Sequence, residues 1–226
     1  MNIKENIYYI VRNYVKKYLT GNLGEVVEDE DKLVCYVEYN KSKKINGTET
    51  FSCFGINERN EELAKSYNLN KPIYYVFSDL DEFIKPINIF GYNCNVYIKD
   101  CEFYRGLHVR VVGGKCSIEA TDIRALHNLM LSAHELVLQD LYLNNEYWYS
   151  TNLNLHISAN DILKIDGCTI GSENRRLNIN LASGNELIIN GSTITGDTVN
   201  CKAKSICYSG NSVINREKPM RRVLEK

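Results

Sequence analysis

From residue 72 onward, apolar and polar residues alternate in short runs, and the runs recur. The stretch ELIINGSTITGD, Glu186 to Asp197, places Leu187, Ile189, Ser192 and Ile194 on one side. Stepping backward, the same outline appears at Leu163, Ile165, Cys168 and Ile170, then at Leu136, Leu138, Leu141 and Leu143. It continues at Cys116, Ile118, Thr121 and Ile123, at Val96, Ile98, Cys101 and Phe103, and starts near Tyr75, Phe77 and Leu80. Forward, Ile206, Tyr208, Asn211 and Val213 carry the outline on. The first members are about 19 to 27 residues apart, a spacing that marks a solenoid. Alternation at period two assigns these residues to one face of their strands, which in a solenoid is the interior.

A second strand precedes each of these. It carries Ile87 and Ile89, then Leu107, Val109 and Val111, then Leu129 and Leu131. Leu153, Leu155 and Ile157 follow, then Leu177, Ile179 and Leu181, then Val199, Cys201 and Ala203. Each coil therefore holds two or three short strands joined by bends. The third inward position always follows the second by three residues, a regularity that an antiparallel sandwich does not explain. Asp79, Asp100, Ala120, Asp140, Gly167, Gly191 and Gly210 occupy the bend just before it. Asp and Gly sharing one site is the composition of a tight turn with positive φ.

These features resemble the right-handed parallel β-helix superfamily, the pectin-lyase-like fold, over residues 72–214. The resemblance lies in coil length, stacked aliphatic positions and turn residues, and extends to no catalytic motif. It implies a mainly β, right-handed parallel β-helix solenoid of about six to seven coils. Residues 1–71 are expected to form a small α+β cap and residues 215–226 a basic tail. Within the cap, Ile3, Ile7, Ile10, Val11, Tyr14, Val15 and Tyr18 have helical spacing. KLVCYVEY and ETFSCFGI read as the two strands of a hairpin, and Asn57 to Tyr67 as a short helix. The helix would cover one open end, as a solenoid requires. The tail either covers the other end or leaves it.

Charge narrows the partner. Lys plus Arg is 27 and Asp plus Glu is 28, a net charge of -1, so nothing indicates nucleic acid or an anionic membrane. No uninterrupted apolar segment reads as a signal peptide or a membrane span. Together with eight cysteines that form no CxxC pair, this gives an expected cytoplasmic chain with reduced thiols.

No catalytic residue, metal site or cofactor is expected. Glycosidases on this fold use paired carboxylates, but Asp79, Asp100 and Asp140 read as turn residues, and Asp161 and Asp166 as a solvated face. Candidate contact residues fall in two groups. One is a polar outer row that contains His108, Arg110, Asn154, His156, Asn178 and Asn180, flanked by Asn88, Asn200 and Lys202. The other is aromatic: Tyr142 with the insertion residues Tyr147, Trp148 and Tyr149, in the longest coil. Tyr97, Val137 and Ile188 add outward apolar positions. The sequence thus points to a non-catalytic macromolecule-binding or scaffold protein, an inhibitor or sequestering protein among the options. Its expected partner is another protein. The alternative is a carbohydrate-active enzyme or lectin.

Overall fold

The computed structural model describes residues 5, 22–38, 48–56, 61–66, 70–80, 85–125, 127–145, 153–171 and 177–216. The chain is a parallel β-solenoid of about six turns, built from three sheets. Sheet A contains β1 (Asn22–Glu28), β2 (Leu33–Glu38), β4 (Ile73–Ser78), β6 (Asn95–Lys99), β9 (Lys115–Glu119), β12 (Glu135–Gln139), β15 (Ile162–Asp166), β18 (Glu186–Asn190) and β21 (Ser205–Ser209), in that order. Sheet B contains β3 (Glu49–Phe54), β5 (Ile87–Tyr92), β8 (Leu107–Val112), β11 (Leu129–Ala133), β14 (Leu153–Ala159), β17 (Leu177–Ser183) and β20 (Thr198–Lys202). Sheet C contains β7 (Glu102–Phe103), β10 (Asp122–Ala125), β13 (Tyr142–Asn145), β16 (Thr169–Gly171), β19 (Thr193–Gly196) and β22 (Val213–Arg216). A full coil runs from sheet A through C to B. Every strand pair is parallel except β1 with β2.

The register follows the sequence period. Tyr75, Val96, Cys116, Leu136, Leu163, Leu187 and Ile206 are successive partners along sheet A. All of these side chains but Ile206, with those of Ile98, Ile118, Leu138, Ile165 and Ile189, fill one continuous core. The bend position also behaves as expected. Asp79, Asp100, Ala120, Asp140, Gly167, Gly191 and Gly210 all have φ between 45° and 63°.

In four of these seven bends the next residue closes the turn with its side chain. Cys101 Sγ donates to the Lys99 carbonyl (3.1 Å) and Thr121 Oγ1 to the Glu119 carbonyl (2.7 Å). Cys168 Sγ donates to Asp166 O (3.2 Å) and Ser192 Oγ to Asn190 O (2.8 Å). A small thiol or hydroxyl two residues on thus gives the strand-end carbonyl a second donor beside the backbone N–H it receives from the neighbouring coil. Burial pushes the Cys101 and Cys168 thiols up to about 11, so these cysteines are inert turn staples.

Three expectations change. KLVCYVEY and ETFSCFGI do not pair as a hairpin: β2 lies against β4 in sheet A, and β3 lies against β5 in sheet B. Both strands extend the sheets of the solenoid, because Leu33, Cys35, Phe51 and Cys53 present the same buried alternation as later coils. A short helix, α1 (Glu61–Ser66), interrupts the passage from β3 to β4. In the last coil, Asn211 is an exposed turn residue with φ 47°, not a buried amide. One extra turn residue shifts the pattern, so Ser212 answers Ser192 and Ile214 pairs with Ile194, leaving Val213 exposed. The amphipathic segment at residues 3–18 and the end of the basic tail lie outside the described residues, apart from the single helical residue Glu5 and the tail's first two residues, Asn215 and Arg216, in β22.

Candidate functional site

The carboxylates are engaged locally. Asp79, Asp100 and Asp140 sit in the left-handed bends. Asp166 accepts from Asn190 Nδ2 (2.7 Å) and pairs with Lys164 (3.2 Å), and these two donors hold its carboxyl below the ordinary range. Asp161 accepts from the Asn185 amide. Arg124 stacks over the Tyr104 ring at 4.4 Å. Among the described residues, no three His, Cys, Asp or Glu side chains converge as a metal site.

The polar face of sheet B divides into three rows. Asn154, Asn178 and Thr198 form one, joined by side-chain bonds: Asn178 Nδ2 to Asn154 Oδ1 (3.2 Å) and Thr198 Oγ1 to Asn178 Oδ1 (2.9 Å). Asn128 Oδ1 extends it by accepting from the Asn154 backbone (2.9 Å). The second row runs Asn88, His108, Met130, His156, Asn180 and Asn200. Met130 separates the two imidazoles, which stand two coils or about 10 Å apart. Asn200 Nδ2 donates to Asn180 Oδ1 (3.1 Å). The third row holds Arg110 with Ser132, Ser158 and Ala182. The expected single row is therefore corrected: its amides bond to one another along the stack, as amide ladders do. His108 is half-buried, and its burial lowers its pKa. His156 and Arg110 are exposed.

Sheet C places Tyr142 outward and exposed, with Asn144 Nδ2 donating to its hydroxyl (3.0 Å). Tyr147, Trp148 and Tyr149 lie outside the described residues.

A concavity lies on the outside of sheet A. Tyr36, Val76, Tyr97, Ser117 and Val137 are consecutive partners on five neighbouring strands, and Val34, Tyr74, Asn95, Lys115 and Glu135 form the row beside them. The wall is the antiparallel β1, with Val27 and Asp29. Together they enclose a groove of about 530 Å³. Four strand steps make it about 19 Å long. Ion pairs border it: Lys115 with Glu135 (2.6 Å) and Lys32 with Asp29 (3.8 Å). The Tyr97 hydroxyl donates to the Glu119 carboxylate, and desolvation together with that carboxylate pushes its pKa up to about 12. Tyr97 and Val137 were legible as outward apolar positions. Tyr36, Tyr74 and Val76 escaped because β2 and β4 were not aligned with each other. The available signal is that Cys35 precedes Tyr75 by two coil lengths.

The chain matches no known family, no curated protein and no solved structure. No helix among the described residues is long and apolar enough to cross a membrane.

Proposed function

We propose that the chain is a non-catalytic binding protein that takes an extended segment of another protein along the groove outside sheet A. The observation that carries this reading is the apolar row of Tyr36, Val76, Tyr97 and Val137, with Tyr74 beside it and Ser117 between the last two, bordered by the ion pairs of Lys115 and Lys32. Tyrosine adds contact area at small entropic cost and keeps a polar tip for the partner's backbone. A groove about 19 Å long matches five or six extended residues. Such a protein would act by holding or sequestering its partner, with Tyr142 and the insertion Tyr147, Trp148 and Tyr149 as a second contact on sheet C. The unpaired thiols of Cys35, Cys53, Cys94, Cys101, Cys116 and Cys168 support a cytoplasmic setting.

The test is affinity purification with mass spectrometry from the native host, comparing the native chain with Tyr36→Ser/Val137→Ser. The reading expects one protein to be captured by the native chain and lost with the groove variant, at an unchanged circular dichroism spectrum. Capture that survives the groove variant but is lost in Trp148→Ala moves the site to the insertion. A carbohydrate-active enzyme or lectin of pectin-lyase-like fold is supported by the parallel three-sheet coil alone, since Asp79, Asp100 and Asp140 are committed to turns. Binding on a glycan array without protein capture would replace the protein reading with this one.

A further inference from the structure

Among the described residues, the last coil has no neighbour above it. β20, β21 and β22 each pair on one side only. β21 is exposed along its whole length. Its inward positions Ile206 and Tyr208 are 37% and 55% exposed, and Ile214, the inward residue of β22, is only partly buried, whereas Leu187 and Ile189 one coil below are at 0%. Three strand edges and an apolar floor therefore face the same direction. Exposed edges of this kind template association with other chains and need a cover.

We propose that residues 217–226 of this chain cover the end. Two observations favour this segment. It leaves β22 at Arg216, on the open coil itself, so its ten residues reach the floor as an intramolecular ligand at high effective concentration. Its apolar residues Met220, Val223 and Leu224 fall at i, i+3 and i+4, directly after Pro219, while Arg221, Arg222, Glu225 and Lys226 alternate with them. That spacing supplies one apolar stripe for Ile206 and Ile214.

The experiment compares the full chain with a truncation after Arg216 and with full-length Val223→Asp/Leu224→Asp. Sedimentation velocity and amide hydrogen exchange are the readouts. The full chain is expected to be monomeric. Both variants are expected to self-associate with rising concentration, and amides of residues 198–216 to exchange at least about tenfold faster while residues 87–190 keep their protection. Should the truncation fail to fold, the double substitution carries the test. Unchanged mass and exchange in the double substitution overturns the proposal. A full chain that is already dimeric, with cross-links joining Lys202 or Lys204 of two copies, overturns it in favour of a second copy.

Discussion

The seventh and eighth strands of the sheet A repeat, β18 and β21, have nearly the same outline and opposite fates. Leu187, Ile189, Ser192 and Ile194 are sealed in the core. Their partners Ile206 and Tyr208 stand in solvent, and Ile214 is only partly covered. Local sequence sets which way a side chain points. Burial comes from the coil stacked above, and energy is gained only there. In a quasi-one-dimensional fold, identical residues therefore differ in worth according to their rung.

Truncation at equivalent rungs measures this directly. Leu187→Ala removes a fully buried side chain between two coils and should cost about 3–4 kcal/mol. Ile206→Ala, its partner one rung up, should cost about 1 kcal/mol or less. Urea unfolding followed by circular dichroism reads both, and equal losses would erase the distinction. The staple should grade in the same way. Ser192 Oγ donates to Asn190 O and accepts from the Cys168 backbone at 3.0 Å, so Ser192→Ala leaves the buried Cys168 N–H unsatisfied and should cost about 2 kcal/mol. Ser212, nearer the open end, should cost about half as much on replacement by Ala.

A change of opposite sign sharpens the bend column. Ala120 holds φ 45° where its neighbours are Asp and Gly. Ala120→Asn should raise stability by about 1 kcal/mol, because Asn tolerates the left-handed region and adds no chain entropy as Gly would. A fall in the urea midpoint would mean that the bend is not strained.

The smallest effect concerns pH. Burial lowers the pKa of His108 in the folded chain below its ordinary value of 6.5. The unfolded chain then binds more protons below about 6.5, so stability is full above that pH and declines below it, levelling once the folded imidazole is itself protonated. His108→Gln should flatten that part of the profile, and an unaltered slope would exclude His108 as its source.

Much of this architecture was legible. The partners from Tyr75 to Ile206 and the positive φ from Asp79 to Gly210 follow from counting, because each bend has the same length and the interior tolerates only small or aliphatic side chains. Counting failed where insertions hide the period. Residues 39–47 and 57–70 stretch the step from Cys35 to Tyr75, so β2 and β3 looked like a hairpin outside the repeat. The extra residue at Asn211 moved the last inward positions by one. The polar rows were joined wrongly because Met130, an apolar residue pointing out between His108 and His156, gave no sign of itself. The groove needed more than counting: its wall is β1, whose antiparallel pairing places it beside a parallel stack.

The bend and its staple have a consequence for how such a chain changes over time. Where a thiol or hydroxyl closes the bend, the local unit spans three residues, from the strand-end carbonyl through the left-handed residue to the closing side chain. Its remaining partners lie one coil away. A duplication or loss of one whole coil, such as the 24 residues that separate Leu163 from Leu187, would join like to like at both edges and leave no turn to be reinvented. The number of rungs is thus free to vary by unequal exchange, while the identity of each bend residue is held by the geometry of a single turn.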